Sequence, residues 1–589
     1  MRPGVNSSPS VRTHRRFWIV VSLLVAAVLA ADAAYLAFGH ALVTRAFERG
    51  TRATLRAVIP SWAAIPLPEY LAAADRLAVI YTLIALAFIA LLLPGAYAQD
   101  AIGRAYDRLV RACDAALRRP WFLVGVLAAA TFGVLAWMAT GVLLRFPNSG
   151  DEYCYLLQAR LWLEGRAWYA EHPLQLFFDV PHIRVLDGRV FPVFPPAWPA
   201  VIFAAALAGI PAWLVNPMLG ALTVIVFFAV ARRWYEPRVV LVGVVAMVMS
   251  AFFLLNSASY YAHTFTLLAT LVFAAAALGG SDRNSFALGL VAGVSFGAAF
   301  AARFFTALMC GLPFGVYHLR RNFRHWRFVL GFLAGAAPVL VAFLWHNQVL
   351  MGRWGVLPMS GFETYNSRWF PPNLLTRGTD MAALKLWEWL TWTPPAVLPL
   401  ALIAMTGRNG PRRQRVLGSA FLCLVAGYYF YVDDSGNRYG PRYYFEALPF
   451  VVLPAAWLAM KETSWRDKTN GARWHFYLFA LSVLLAVPAA AWHARMAHRV
   501  VYERTDLYRV VDEARLSRAM VFIATPTGTR RSMAATDHIR NWGRYDGSVL
   551  FALDRGGDNV RLMDAYPDRA CYRYAYDPIT SRGRLEKLR

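Results

Sequence analysis

Long apolar blocks, separated by loops rich in arginine, dominate this chain of 589 residues. Hydrophobic residues make up 58% of the sequence, and about thirteen blocks are long enough, or nearly so, to cross a bilayer as helices. They lie at roughly 17–38, 77–98, 121–144, 212–231, 239–255, 264–280, 286–302, 304–319, 327–345, 394–406, 416–431, 446–460 and 476–494. Because a helix satisfies its own backbone hydrogen bonds in lipid, the sequence predicts an all-α polytopic membrane protein.

The distribution of arginine predicts how these spans are oriented. Arg12, Arg15 and Arg16 precede the first block, which places the N-terminus in the cytoplasm by the positive-inside rule. Other arginines cluster in loops assigned to the same side, at 104–119, 232–238, 320–327 and 412–415. This agreement requires the proline-flanked piece 198–210 to dip into the membrane or lie on it rather than cross. The C-terminus is then predicted to lie outside.

The charge and cysteine content exclude two other classes of function. The net charge of +25 is typical of nucleic-acid binding, but much of it sits in short loops between spans, where membrane topology explains it. We therefore expect no nucleic-acid partner. The five cysteines have no metal-like spacing, so neither a zinc site nor a disulfide scaffold is predicted.

Three outer segments divide the chain into parts. They are 145–199, 346–392 and the tail after Trp492, which is more polar and has β-like runs at 519–524, 548–553 and 571–574. We predict two extra N-terminal spans and a cytoplasmic loop in 1–120, a membrane core in 121–494, and a small α/β domain in 495–589. No internal repeat is visible, which weighs against transporters built from inverted repeats.

Two adjacent carboxylates, Asp151 and Glu152, follow the apolar block 121–144. Acidic side chains at the mouth of a membrane helix are costly unless they meet water, a cation or a substrate. The pair also suits the first turn of a helix, where the helix dipole favours negative charge. A helix over 151–165 is predicted to lie along the membrane interface. The spacing alone leaves both interpretations open.

Several motifs in a fixed order extend this pattern along the chain. They are Asp151-Glu152-x-x-Tyr155, Leu163-Glu164-Gly165-Arg166, Pro195-Pro196-Ala197-Trp198-Pro199, 256–264 with Tyr261 and His263, Arg303 between two apolar runs, and 440–446 with Arg442, Tyr443 and Glu446. Over roughly 121–494 the chain resembles the GT-C superfamily of polyprenyl-phosphate-sugar-dependent glycosyltransferases. The resemblance is to the bacterial members related to protein O-mannosyltransferases and to the lipid A aminoarabinose transferase.

This resemblance implies an inverting sugar transfer at the periplasmic face of the bacterial inner membrane. Asp151 is then expected to take the acceptor proton or to orient the acceptor, and Glu152 to support it or to contact a metal. A divalent metal cation takes part in some members of the superfamily and not in others, so the metal ligands stay open. The expected partners are a polyprenyl-phosphate-sugar donor, membrane lipids and a cell-envelope acceptor that is a lipid, a glycan or a protein.

Arginines on the outer side are candidates to hold the donor phosphate, because the positive-inside rule does not explain them. They are Arg303, Arg438 and Arg442. Other roles compete: an internal salt bridge or snorkelling for Arg303, and pairing with Glu446 one helical turn on for Arg442.

Further candidates follow from the same motifs. His263, Tyr261 and Tyr443 are expected at the donor phosphate or sugar, although a histidine here is also compatible with a plain core residue and Tyr443 with an interface aromatic. Tyr155, Asp179 and His182 are expected near the acceptor, and Asp179 also suits a turn before Pro181.

Two other functions remain as alternatives to the glycosyltransferase. One is a transporter or flippase of lipid-linked sugars, and the other is a polymerase or ligase of surface polysaccharide. The sequence does not identify the sugar, the acceptor or the oligomeric state.

Overall fold

The computed structural model describes residues 99–180, 182–322, 324–355, 369–370, 374–406, 412–431, 439–461, 471–524, 539–577 and 582–589. The predicted spans 17–38 and 77–98, most of the loop after Trp354, and Arg438 lie outside the described residues.

Helices make up most of the described chain. They are α1 Gln99–Ala116, α2 Pro120–Trp137, α3 Gly150–Leu163, α4 Ala197–Leu207, α5 Ala212–Ala231, α6 Pro237–Val248, α7 Ala251–Ala258, α8 His263–Asp282, α9 Phe286–Asn322, α10 Trp326–Met351, α11 Leu374–Trp392, α12 Val397–Thr406, α13 Arg412–Tyr429, α14 Leu448–Met460, α15 Gly471–Arg504, α16 Asp506–Glu513 and α17 Asn559–Ala565. A π-helix, Met138–Val142, extends α2, and a 3-10 helix, Arg442–Ala447, leads into α14.

Seven of the described helical segments are long and apolar enough to cross a membrane, or up to nine if each of two bent pairs is one span. The bent pairs are α6 with α7, at 64°, and Lys385–Trp392 with α12, at 111°. The predicted blocks 239–255 and 394–406 are therefore parts of broken elements. Block 416–431 forms most of α13, whose first turn is too polar for it to count among the seven. The predicted total of about thirteen spans is not confirmed.

Helix α9 turns back on itself at Arg303, whose backbone angles of φ −149° and ψ 76° are not helical. The rings of Phe296 and Phe314 both pack against Phe273, with centroids 5.3 and 5.7 Å away. A straight helix would hold residues with that separation about 27 Å apart. The two halves of α9 therefore run antiparallel, as expected of two apolar segments with Arg303 at the turn between them.

Glycines allow the first half of α9 to pack in backbone contact with α10. A Cβ atom at Gly289 or Gly293 would lie 2.1 Å from the carbonyl oxygen of Phe328 or Phe332, and one at Gly331 would lie 2.1 Å from that of Phe286. Small residues spaced by four along a helix permit this close approach in membranes, where dispersion contacts rather than hydrophobic burial hold helices together. The contact fixes where the turn at Arg303 lies.

The first outer segment forms a small unit around α3. Its three short strands, β1 Tyr169–Ala170, β2 Ile183–Leu186 and β3 Arg189–Pro192, form an antiparallel sheet in the order β1-β3-β2. The apolar helix α4 follows and has only 11 residues, fewer than the ~20 that a spanning helix needs. The prediction that this piece does not cross agrees with its length.

The C-terminal domain contains a four-stranded sheet in the order β5-β4-β6-β7. Strands β4 Ala519–Ile523, β5 Val549–Leu553 and β6 Ala570–Asp577 are parallel, and β7 Arg582–Lys587 is antiparallel to β6. The three predicted β-like runs are thus strands of this sheet. The polar edge strand β7 was not predicted, and the predicted boundary at 494/495 falls inside α15, which continues to Arg504.

One hydrophobic core joins the first outer segment to the C-terminal domain. Buried residues of α3 and its loop, among them Tyr153, Leu157 and Phe177, pack with Leu507 and Phe522 of the C-terminal domain. The domain is therefore docked onto α3, the helix that carries Asp151 near its N-terminus.

Candidate functional site

Ser149 caps helix α3 through the backbone of Glu152. The Ser149 hydroxyl accepts a hydrogen bond from the Glu152 backbone N–H at 3.2 Å, which satisfies one of the unpaired donors of the first turn. Asp151 lies in the first turn but does not serve as the cap. Both acids thus lie in the first turn of α3, as the sequence predicts, and the cap is Ser149.

Asp151 lies between a guanidinium and an imidazole. Its Oδ2 is 3.2 Å from Arg442 Nη1, and its Oδ1 is 3.3 Å from His182 Nε2. The Asp151 side chain is 18% exposed, so solvent reaches it. His182 adopts a positive φ of 66°, which is unusual for a residue other than glycine and often accompanies functional positions. We call Asp151, Arg442 and His182 the outer triad.

Glu152 occupies a different environment from its neighbour. It is 1% exposed, and its carboxylate accepts hydrogen bonds from the Tyr260 backbone N–H at 2.9 Å and from the Ser149 hydroxyl at 3.3 Å. These bonds tie the start of α3 to the segment between α7 and α8. The geometry supports a positioning role for Glu152 more than contact with the reacting atoms.

The 3-10 helix Arg442–Ala447 separates Arg442 from Glu446. At three residues per turn, positions four apart do not lie on the same face, as they would in an α-helix. The arginine instead pairs with Asp151, and its guanidinium lies 4.5 Å from the centre of the Tyr261 ring. The alternative pairing expected from α-helical spacing is replaced by these contacts.

Glu446 forms a second cluster with Arg303 and His263. Its Oε1 is 3.1 Å from His263 Nδ1 and 3.2 Å from Arg303 Nε, and the Glu446 side chain is 0% exposed. The salt bridge expected as one role for Arg303 is thus present. His263 Nε2 and Glu446 Oε2 are buried and have no hydrogen-bond partner among the described residues. We call Glu446, Arg303 and His263 the buried triad.

Tyr443 joins the two triads and a third cation that the sequence analysis missed. The guanidinium groups of Arg442 and Arg303 each lie 5.5 Å from the centre of the Tyr443 ring, and Lys385 Nζ lies 5.1 Å from it. Lys385 is 1% exposed and also faces the rings of Tyr428 and Tyr444. Three cations thus share one aromatic ring, and two of them, Arg442 and Arg303, also pair with carboxylates.

Lys385 had no signal strong enough to select it from the sequence. It lies in a stretch of apolar and aromatic residues in α11, inside a predicted outer loop. A lysine within an apolar helix does carry a functional expectation. That expectation required assigning 385–392 to a membrane-spanning element rather than to a loop.

Tyr155 and Asp179, which were also predicted to be near the acceptor, lie at different distances from the two triads. Tyr155 is buried against Phe194, with ring centroids 4.9 Å apart, and burial together with the nearby Asp151 charge raises the pKa of its hydroxyl well above the ordinary value. It therefore stays a neutral phenol. Asp179 is exposed at the end of a 3-10 helix, Gln175–Phe178, and no contact found among the described residues brings it to either triad.

Contacts from the C-terminal part of the chain hold the loop before Asp151. Arg504, which is 1% exposed, donates a hydrogen bond to the Asn148 carbonyl at 2.8 Å, and Arg540 donates one to the Pro147 carbonyl. The Trp542 backbone N–H donates to the Tyr153 hydroxyl at 3.1 Å. Sequence reasoning missed all three, because they join residues more than 350 positions apart.

No group of three or more His, Cys, Asp and Glu side chains is arranged to hold a metal ion within the described ranges. Asp151 and His182 together offer two such groups, with Arg442 beside them. Glu152 was expected to support the base or to contact a metal. Its carboxylate instead accepts hydrogen bonds from Tyr260 and Ser149.

Comparisons with known proteins give matches of limited extent. No curated protein matches the chain in sequence. A family model described as a domain of unknown function (DUF7846) matches residues 519–589, in the C-terminal domain.

The chain is similar to several solved structures, among them three that each have a TM-score below 0.5. One is ArnT from Cupriavidus metallidurans in the apo state, with 13% identity and a TM-score of 0.49 over 77% of this chain and 93% of ArnT. ArnT bound to undecaprenyl phosphate gives a TM-score of 0.47, with the same identity and coverage. The arabinofuranosyltransferase AftD from Mycobacteria gives 16% identity and a TM-score of 0.41 over 72% of this chain and 31% of AftD.

Proposed function

We propose that this protein is a membrane glycosyltransferase of the GT-C superfamily. It transfers a sugar from a polyprenyl-phosphate-linked donor to a cell-envelope acceptor at the periplasmic face, with its N-terminus in the cytoplasm and its C-terminus in the periplasm. The ordered motifs from Asp151 to Glu446 support this assignment. The observation that carries it is the position of the solvent-accessible Asp151 carboxylate beside a cluster of three cations.

The chemistry of sugar transfer needs both parts of this arrangement. The acceptor hydroxyl attacks C1 of the sugar while the bond from C1 to the phosphate oxygen breaks. The acceptor proton passes to the Asp151 carboxylate, which acts as general base. Polyprenyl phosphate leaves with the electron pair of the broken bond, and the configuration at C1 is inverted.

The three cations are assigned to the phosphate. Arg303, Arg442 and Lys385 stabilise the negative charge that the leaving phosphate carries, beside the ring of Tyr443, where electrostatic interactions are stronger than in water. His263 and Tyr261 line the same region and are assigned to donor binding. Arg442 also contacts Asp151, so one residue links the phosphate to the base.

The remaining polar residues position the base. Glu152 and Ser149 fix the first turn of α3, and His182 orients the Asp151 carboxylate from the side opposite to Arg442. Tyr155 contributes a buried phenol next to the base. Orientation of this kind contributes to catalysis by holding the base in its reactive geometry.

Mass spectrometry of cell-envelope glycolipids and glycoproteins, with and without the gene, tests this proposal and identifies the product. We expect one sugar-bearing species to disappear and to return with the wild-type gene but not with Asp151→Asn. Full restoration by Asp151→Asn at equal expression would overturn the assignment of the base. An unchanged envelope combined with accumulation of the lipid-linked sugar on the cytoplasmic side would favour a flippase.

A further inference from the structure

A cleft with many arginines lies between α3 and the C-terminal domain. It has a volume of about 450 Å³, within the range of pockets that bind small molecules and short oligomers. Four arginines line it, namely Arg160, Arg515, Arg540 and Arg544, together with one acidic residue, Asp512, among the residues that the structure describes. We call this the arginine cleft.

The charges of the arginine cleft are only partly neutralised. Arg160 and Arg544 both pair with one carboxylate, that of Glu164, at 3.5 and 3.0 Å. Arg515 is exposed and has no ion-pair partner in the described part of the chain. The cleft therefore carries an excess of positive charge that an anionic ligand would neutralise.

Aromatic side chains form the rest of the wall. Trp542, Tyr508 and Phe551 line the cleft, and the Tyr508 and Phe551 rings pack edge to face at 5.3 Å. Arg160 lies 5.6 Å from the centre of the Trp542 ring. Aromatic faces bind the apolar faces of sugar rings, while guanidinium groups bind carboxylates and phosphates in bidentate geometry.

The arginine cleft is connected to the outer triad through one helix and one loop. Arg160 lies on α3 nine residues after Asp151, which corresponds to about 13 Å along the helix axis. Arg540 donates a hydrogen bond to the Pro147 carbonyl, two residues before the cap of α3. Nine residues at about 100° each make two and a half turns, so Arg160 and Asp151 lie on opposite faces of α3, and the cleft is connected to the outer triad through the helix and the loop that Arg540 holds.

We propose that the arginine cleft binds an anionic glycan, whose carboxylate or phosphate groups contact Arg515 and Arg544 and whose sugar rings contact Trp542. This inference rests on the proposed function, since it assigns the bound glycan as the acceptor. It adds a substrate class and a docking site in the C-terminal domain, outside the region of the motifs.

Binding of a charged and a neutral trisaccharide tests the cleft without requiring turnover. Full-length protein in nanodiscs of phosphatidylcholine is titrated with trigalacturonate and with maltotriose by isothermal calorimetry. We expect trigalacturonate to bind at least about tenfold more tightly than maltotriose, because only it forms charge-assisted hydrogen bonds. Equal affinity for the two would overturn the proposal.

Arginine variants assign the binding to the cleft. Arg515→Ala removes an exposed side chain whose loss leaves the fold intact, and Arg515→Ala combined with Arg544→Ala is expected to weaken trigalacturonate binding about tenfold or more. Arg561→Ala, which removes an exposed arginine on α17 of the same domain, is the matched control and is expected to bind like wild type. Wild-type affinity in the double variant would overturn the proposal.

Two further outcomes separate this proposal from others. If the double variant binds trigalacturonate normally and instead loses binding to phosphatidylglycerol vesicles, the cleft binds lipid headgroups and the glycan proposal fails. Loss of transfer in Asp151→Asn tests the base independently of the cleft. The proposed function can therefore fail while the binding result stands, and the cleft can fail while transfer is unaffected.

Discussion

The outer triad and the buried triad consist of the same kinds of residue in different surroundings. Each has one carboxylate, one arginine and one histidine, at separations of 3.1 to 3.3 Å. The Asp151 side chain is 18% exposed and the Glu446 side chain 0% exposed. The exposure of the carboxylate, rather than the set of residues, distinguishes the two, since the arginines differ little, at 9% for Arg442 and 14% for Arg303.

This difference predicts different roles. A carboxylate that accepts a substrate proton must reach the substrate, which Asp151 can do and a fully buried Glu446 cannot without rearrangement. A buried carboxylate beside an arginine holds the arginine in place, and removing the carboxylate leaves the arginine without its counter-charge. We therefore expect Asp151 to control activity directly, and Glu446 to control stability and to hold Arg303 and His263 in place for the donor.

The largest expected effect is on activity in the outer triad. Asp151→Asn keeps the shape of the side chain and removes the base, so transfer should fall by about 10²–10⁴-fold with thermal unfolding nearly unchanged. Initial rates of polyprenyl phosphate release measure it once the donor is identified. Asp179→Asn, an exposed carboxylate in the same outer segment, is the control and should keep wild-type rates. Loss of folding in Asp151→Asn would instead assign the outer triad a structural role.

The second largest effect is on stability in the buried triad. Glu446→Gln leaves Arg303 without its counter-charge, which should cost about 3–5 kcal/mol of unfolding free energy. Unfolding in increasing fractions of SDS in mixed micelles measures it. Adding Arg303→Gln to Glu446→Gln should recover part of the loss. If Glu446→Gln unfolds like wild type but no longer transfers sugar, Glu446 takes part in the reaction, and the expected difference between the two triads is wrong.

Lys385 tests the cationic region between the triads. Lys385→Met keeps much of the packing against Tyr443 and removes the charge, so binding of polyprenyl phosphate should weaken about ten- to hundredfold. Native mass spectrometry of the purified protein with added undecaprenyl phosphate measures this. Lys385→Arg should retain part of the affinity. Equal binding by Lys385→Met and wild type would remove Lys385 from the phosphate site.

The smallest effect concerns a histidine outside both triads. His172 packs against the Tyr545 ring and lies 3.0 Å from the Tyr566 hydroxyl, and burial lowers its pKa below the ordinary 6.5. Below pH 6.5 the His172 imidazole binds a proton more readily in the unfolded chain than in the folded chain. The contribution of His172 to the free energy of unfolding therefore falls as the pH decreases below 6.5 and is constant above pH 6.5. Thermal unfolding at pH 7.5 and 5.5 measures the difference, which His172→Phe should reduce. An unchanged difference would assign the acid sensitivity to other groups.

The sequence allowed a reliable prediction of local elements. Apolar blocks of helical length and short β-like runs are decided by neighbours in the chain, so most blocks and three strands of the C-terminal sheet lie where they were expected. The bends between α6 and α7 and before α12 could not be predicted, because tertiary packing decides whether an apolar block continues straight. The polar strand β7 pairs only because β6 offers it an edge.

The sequence predicted several residues of the candidate site, but not which of them contact each other. Asp151 and Arg303 were identified from their positions after or between apolar blocks, Arg442 as an arginine on the predicted outer side, and His263 from its motif. Their partners were not, because an ion pair depends on which helices become neighbours. The expected pairing of Arg442 with Glu446 assumed an α-helix, whereas the chain forms a 3-10 helix there.

The sequence by itself determined that this chain has long apolar helices and carries acidic and basic side chains next to them, because hydrophobicity and charge act locally along the chain. Only the tertiary structure decided that Asp151 is accessible and Glu152 buried, although the two are adjacent. Successive residues of a helix point about 100° apart, so one faces the cation-lined site and the other the packed interface with Tyr260. The same packing brought Lys385, Arg504 and Arg540 to the site from distant parts of the chain.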